Sequence, residues 1–433
     1  MAKTFREWDV NQAWLLPPSV HDLVHSGHLA HFVRNTVRDS LDLSAILDVY
    51  QEERGYPPYH PVMMTSLLLY AYAQGVYSSR RIARACEERV DFMAVTAMQK
   101  PDFRTISDFR RRHLKALGDL FIQVLCLCRR AGLATLGHVS LDGTKMKANA
   151  SKHKAMSYGR MLVAEQELEA EVKRWMERAQ AEDEEEDRQH GKDRRGDELP
   201  EWVQNKKERL ERIREAKKAL ENEAKSQQEQ KSDDAPGGES SGVLPKAKSQ
   251  RNFTDPDSRI MKTKDGFEQA YNCQAAVDHE HQIIVAATLS QKSNDQNELA
   301  GILDQIKKNT GRQAQEISAD AGYCSEKNLK ELSRRRIRGY IATGRQHHGD
   351  IAATDRGDKK QGKRTIAMRA RLRRGAHRSR YRLRKQTVEP VFGQIKEARG
   401  FRRFLMRGLE KVSAEWRMIC AVHNLKKLAL ATG

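Results

Sequence analysis

Three acidic residues stand in sequence contexts that could put a carboxylate to chemical use. Asp142 follows the apolar run Leu136, His138 or Val139, and Leu141 in LGHVSLDGTK; Asp320 ends the run in QEISADAGY; Glu389 lies in RKQTVEPVFGQIK. The two aspartates share a setting, a short strand pattern that stops at the carboxylate with a glycine close behind. A strand end holds a side chain firmly and lets it face a cleft. Taken alone, Asp-Gly after a strand also reads as a turn, and Glu389 also reads as a helix partner of Lys385 on a solvated face. Taken together, two strand-end aspartates and a glutamate on a late helix supply hard oxygen ligands for two divalent ions. Such a pair of ions, bridging a phosphate, stabilises both the attacking and the leaving oxygen of an in-line phosphoryl transfer.

The surroundings of Glu389 sharpen that reading. Arg380, Arg382, Arg384 and Lys385 precede it, and Lys396, Arg399, Arg402 and Arg403 follow, in the most basic stretch of a 433-residue chain whose formal net charge is +19. Such an excess points to a polyanion, and nucleic acid fits best, because neutralising phosphates releases counterions. A membrane surface fits less well: no apolar run reaches spanning length, and no basic amphipathic segment carries an aromatic face. The first residues, MAKTFREWDVNQAWLLPPSV, lack the charged-then-apolar order of a signal peptide. An intracellular protein with six reduced cysteines is expected. Cys126 and Cys128 are spaced poorly for zinc, and Cys420 with His423 has no matching pair.

The elements that must position these groups fall into blocks. Residues 20–130 carry helical periodicity, as in VMMTSLLLYAYAQGV and LKALGDLFIQVLCLCRRAGL. Pro101 interrupts it, and Thr105 or Ser107 can cap a helix bearing Arg110, Arg111 and Arg112. Short Arg-rich helices of this kind suit a helix-turn-helix type of DNA contact; a purely structural helical domain is the alternative. Residues 158–227 read as two amphipathic helices, with Met161, Leu162, Leu168, Val172, Trp175 and Met176 on one stripe and Trp202, Leu210, Ile213 and Leu220 on the other. The polar tip AEDEEEDRQHGKDRRGDELP between them makes an antiparallel hairpin, whose stripes could pack on each other or on a second protomer. Residues 228–250 have linker composition. Beyond them come Tyr271, Cys273, Ala275, Val277 and Ile283, Val285, Ala287, Leu289 as two paired strands, then a helix, the strand ending at Asp320, and another helix.

The order of the three acidic residues and the run RKQTVEPVFGQIKEARGFRRFLMRGLEKVSAEWRMICAVHNLKKLA closely resemble bacterial insertion-sequence transposases of the DDE class, specifically the IS1182 group of the IS4/IS5 assemblage. YHPVMMTSLLLYAYAQGVYSSRRIARACEE and PDFRTISDFRRRH resemble that group's amino-terminal domain, and TDPDSRIMKTKDGFEQAYNCQAAVD its approach to the second strand. The resemblance implies an α/β protein with an RNase H-like mixed sheet: a helical DNA-binding domain at 1–132, a catalytic domain at 133–157 and 251–433, an inserted hairpin at 158–227 and a linker at 228–250. It makes Asp142, Asp320 and Glu389 the catalytic, metal-holding triad for two Mg²⁺ or Mn²⁺ ions.

In related transposases the glutamate belongs to a Tyr, Arg, Glu, Lys signature in which Tyr precedes Arg by three positions, Arg precedes Glu by four, and Lys follows Glu by seven. Lys396 keeps the last spacing; Lys385 stands four before Glu389, while Tyr381 and Arg384 keep the first spacing one position earlier. Lys396, Arg384, Lys385, Arg110, Arg111, Arg112, Arg402 and Arg403 are the expected DNA contacts. The implied partner is double-stranded DNA, at transposon ends and at the target, bound by a homodimer or larger assembly in the bacterial cytoplasm at the nucleoid. An inactive or domesticated DNA-binding regulator and an RNase H-like nuclease without strand joining are the alternatives.

Overall fold

The computed structural model describes residues 19–50, 57–190, 201–232, 244–263, 266–344, 362–375 and 380–432. Residues 191–200 at the hairpin tip, residues 233–243 of the linker and the Trp202 side chain lie outside the described residues.

Seven helices precede the sheet among the described residues: α1 Leu29–Asp39, α2 Ser44–Leu47, α3 Pro61–Ala73, α4 Ser79–Glu88, α5 Val90–Thr96, α6 Phe103–Arg112 and α7 Leu114–Arg130. Helix α3 is apolar all round and buries every residue from Met64 to Ala73, as a helix at the centre of a bundle must. The cap of α6 is Asp102, not Thr105 or Ser107: its carboxylate accepts from the Arg104 and Thr105 amides and from the Thr105 hydroxyl. A carboxylate directly after Pro101 reaches the free N–H groups of the first turn, leaving Thr105 inside the helix.

The rest of the chain gives β1 His138–Lys147, β2 Ala155–Ser157, α8 Tyr158–His190, α9 Glu201–Ser232, β3 Gln250–Asn252, β4 Arg259–Thr263, β5 Gly266–Asp278 and β6 Ile284–Ser290. It continues with α10 Leu299–Thr310, β7 Glu316–Ala319, α11 Glu326–Arg334, β8 Arg338–Ile341, α12 Lys363–Gly375, α13 Leu383–Gly393 and α14 Leu409–Thr432. Strand β1 runs antiparallel to β5, from Val139 opposite Asp278 to Lys147 opposite Ala270, and parallel to β7, from His138 opposite Glu316 to Leu141 opposite Ala319. Strands β4 and β6 pair with the other edge of β5, and β8 extends the parallel side beyond β7. The result is a mixed α/β sheet of RNase H-like order, antiparallel on one side of β1 and parallel on the other.

The sheet and the amino-terminal helices share one core. Leu67, Tyr72 and Phe121 belong to the same buried cluster as Leu141, Tyr271 and Trp416. Helix α14 seals them together, packing on α7, α3 and β6. At Gly118 of α7 a Cβ would stand 2.8 Å from the Ala414 carbonyl oxygen, so the two backbones pack closely there.

The hairpin has its own small core. Met161, Leu168, Leu210, Ile213 and Leu220 bury against one another, with Met156 and Phe253 at the base, and Glu165 ties the helices through Arg214 at 3.1 Å and Lys217 at 2.6 Å. The stripes therefore pack on each other; Leu162 and Met176 stay exposed. The two-stranded ladder of β2 and β3 carries the hairpin.

Candidate active site

Strand β1 does not stop at Gly143. It continues along β5 to Lys147, and what ends after Leu141 is its parallel ladder with β7, because β7 itself ends at Ala319. Asp142 and Asp320 are thus the next residues of two neighbouring parallel strands. Asp320 caps the short turn Ala321–Tyr323, accepting from the Gly322 amide at 2.9 Å, and the Gly143 amide donates to Asp142 at 2.9 Å. Burial pushes the Asp142 carboxyl up to about 7, against the pull of the Arg384 guanidinium, with the Asp320 charge adding to the rise. Burial also raises Asp320, again opposed by Arg384, and Asp295 raises it further.

Glu389 reaches this pair through a cation. Arg384 lies near the start of α13 and donates from Nη1 to Asp142 and from Nη2 to Glu389, both at 2.8 Å. Its side chain is 12% exposed, while Glu389 is 46% exposed on the outer face of the helix. The Tyr381 hydroxyl sits against the same guanidinium, and Lys385 faces solvent. Of the two candidates ahead of the glutamate, the fold turns Arg384 inward and Lys385 outward.

Lys396 belongs to a π-helical segment, Gln394–Ala398, that follows α13. The wider turn shifts it from the position that uniform α-helical geometry predicts relative to Glu389. Its ammonium donates to the Thr144 hydroxyl and, at 2.9 Å, to the Lys145 carbonyl, so it anchors the helix to β1 just beyond Asp142.

The remaining basic candidates divide. Arg110 is buried, donating to the Tyr77 carbonyl at 2.8 Å and the Ser79 hydroxyl at 3.0 Å, and is not offered to a partner. The i, i+4 geometry of α6 puts Arg110 on the same face as Ile106, one turn earlier, and both are buried. Arg111 and Arg112 face solvent, Arg111 beside Asp108 at 3.0 Å. Arg402 pairs with Glu397, and Arg403 donates to Asn149 at 2.8 Å; both are exposed.

Asp295, just before α10, is a fourth carboxylate at the site. Its Oδ1 accepts from Asn272 at 2.5 Å, Gln274 at 2.6 Å and Lys145 at 3.3 Å. The segment QKSNDQNEL has neither an apolar alternation nor a motif that sets this Asp apart, so nothing in the sequence marks it. Gly143 is also explained here: a Cβ on it would stand 2.7 Å from Asp295 Oδ1, so it is a close-approach glycine inside a strand, not a turn residue.

Among the described residues, no three acidic, histidine or cysteine side chains form a ready-made metal cage. The donor set nonetheless fits a divalent cation. Two carboxylates raised by burial gain most from a positive neighbour, and the guanidinium between Asp142 and Glu389 already supplies one. Among the described residues, no helix is long and apolar enough to cross a membrane.

Residues 18–112 match the family model described as Transposase domain (DUF772), and residues 243–425 match the Transposase DDE domain. The second match takes in Asp295, Asp320 and Glu389 and begins beyond Asp142. No curated protein and no solved structure matches the chain. With two transposase models spanning well over half of its length, the chain belongs to the DDE transposases of insertion sequences, and the pairing of the two domains fits the IS1182 group.

Proposed function

We propose that this transposase binds the terminal inverted repeats of its insertion sequence, cuts the DNA strand there and joins the freed end to target DNA. The observation that carries the reading is the adjacency of Asp142 and Asp320 at the end of one parallel ladder, with Arg384 linking Asp142 to Glu389. Asp142, Asp320 and Glu389 would hold two Mg²⁺ or Mn²⁺ ions. When bound, such ions activate the attacking oxygen and offset charge at the phosphate.

The chain's own residues do the rest. Arg384 keeps Asp142 and Glu389 oriented towards each other before the ions arrive. Exposed Arg111, Arg112, Lys385, Arg402 and Arg403 supply backbone contacts, which position the duplex and carry most of its affinity. Lys396 holds the strand that carries Asp142 and lies where it can turn to a phosphate near the cut. A homodimer or larger assembly on the paired DNA ends would bring two such sites together.

A labelled transposon-end duplex incubated with the protein and Mg²⁺ tests this reading. Cleavage followed by joining is expected, and Asp142→Asn, Asp320→Asn and Glu389→Gln should each lose cleavage while keeping DNA binding. Binding alone would make the protein a regulator. Cleavage without joining would make it a nuclease.

A further inference from the structure

The polar cluster behind the two aspartates has a definite architecture. Asn272 and Gln274 stand on β5 directly opposite Lys145 and Gly143 of β1, and all but Gly143 turn a polar group to the Asp295 carboxylate. Gln274 does more: its carbonyl oxygen accepts from the buried Tyr323 hydroxyl, and Tyr323 closes the turn that Asp320 caps. A continuous polar chain therefore runs from the turn of Asp320 through Tyr323 and Gln274 to Asp295, and returns to β1 through Lys145. Gly143 and Gly322 leave room for it. A Cβ on Gly322 would stand 3.0 Å from Asp320 Oδ1 and 3.5 Å from Asp295 Oδ2, so both carboxylates lie beside Gly322.

We infer that Asp295 is a positioning residue that sets the separation of Asp142 and Asp320, an inference that rests on the metal-holding role proposed for that pair. Oxygen Oδ1 of Asp295 is fully engaged by three donors from β1 and β5, which suits a fixed acceptor better than a ligand. Without that acceptor the Gln274 amide is free to rotate. Rotation releases Tyr323, and with it the turn that fixes Asp320 relative to β1.

The test measures Mn²⁺ binding to the full-length protein by the electron paramagnetic resonance of the free ion, with thermal unfolding as a check on folding. Asp142→Asn should weaken binding most. Asp295→Ala, which removes the acceptor, should weaken it about tenfold, as loss of an outer partner of a ligand does. Asp295→Asn keeps an oxygen facing the same three donors and should stay within about twofold of wild type. Tyr323→Phe interrupts the chain without removing bulk and should shift binding in the same direction as Asp295→Ala; it decides the matter if that variant does not fold. Unchanged binding in Asp142→Asn removes the metal role and this inference with it. Weakened Asp142→Asn with unchanged Asp295→Ala or Tyr323→Phe overturns the inference alone. Asp295→Asn as weak as Asp142→Asn would make Asp295 a ligand and overturn its positioning role.

Discussion

Arg384 donates to Asp142 over 2.8 Å although 242 positions separate them in sequence. The contact ties α13 to the central strand, and the same guanidinium holds Glu389. Replacing Arg384 with Met leaves a buried carboxylate without its cation, which costs roughly 3 kcal/mol when one partner of such a pair is removed. If the aspartates bind metal, a divalent ion supplies the missing charge. Arg384→Met should therefore have a depressed melting temperature, and Mg²⁺ should raise it by more than it raises wild type. Equal shifts in the two proteins would separate Arg384 from the ion site.

The three consecutive arginines of α6 should behave differently. Exposed Arg111 and Arg112 should contribute to the salt dependence of DNA binding, each neutralised phosphate changing the slope of log K against log salt by about 0.9. The double variant Arg111→Gln, Arg112→Gln should flatten the slope by up to about 2. Arg110→Ala should leave the slope unchanged and lower stability instead, since the buried guanidinium bonds the start of α4 and its preceding loop. Binding isotherms at several salt concentrations, with melting curves, separate the two effects.

How far these roles could be read from sequence depended on the length scale of the cause. Apolar alternation locates β5 and β6 because each strand carries its own pattern, and a strand ending marks Asp320; at Asp142 only the parallel ladder with β7 ends, while β1 itself runs on. The inward turn of Arg110 follows from helix geometry, one turn after the buried Ile106. By contrast, β1 continues past Gly143 because β5 lies alongside it, and Asp295 gains meaning only from amides on another strand. Both depend on tertiary neighbours. Strands β2 and β3, three residues each, are too short to show a period.

Glu415 gives a pH dependence away from the candidate site. It is fully buried on α14 and accepts from the Leu405 and Met406 amides, and burial pushes its carboxyl up to about 7. A carboxyl raised on folding binds its proton more tightly in the native state. Its contribution is present below the unfolded value near 4.5 and is lost as pH rises through about 7. Wild type should lose stability relative to Glu415→Gln between these limits. Melting temperatures of both proteins across that range measure the difference, and parallel curves would show that Glu415 stays ionised.

The hairpin should be dispensable for folding. Its apolar side chains form a cluster separate from the main core, and its helices join the rest through the β2 and β3 ladder and the pair of Glu223 with Arg259 of β4 at 2.8 Å. Joining Ser157 to Gln250 by a short Gly/Ser turn keeps that ladder antiparallel and shortens the loop, which costs little entropy. The shortened protein should unfold cooperatively at close to the wild-type temperature. Loss of cooperative unfolding would mean that the hairpin supports the sheet.

Lys396 combines two roles that a single substitution can separate. Its bonds to the Thr144 hydroxyl and the Lys145 carbonyl fix the π-helical segment against β1, immediately after Asp142. Lys396→Met keeps the aliphatic stem and removes the ammonium, so lost stability reports the anchoring role, at roughly 1–3 kcal/mol for a charged donor. Should the ammonium also reach a phosphate near the cut, its loss misplaces the strand end, and cleavage falls further than stability explains. Single-turnover cleavage of a transposon-end duplex at saturating DNA, well below the variant's melting temperature, isolates that second effect. A rate lowered at least tenfold, with little change in affinity, is expected for a phosphate contact at the reacting end. A wild-type rate would leave Lys396 as an anchor between helix and strand.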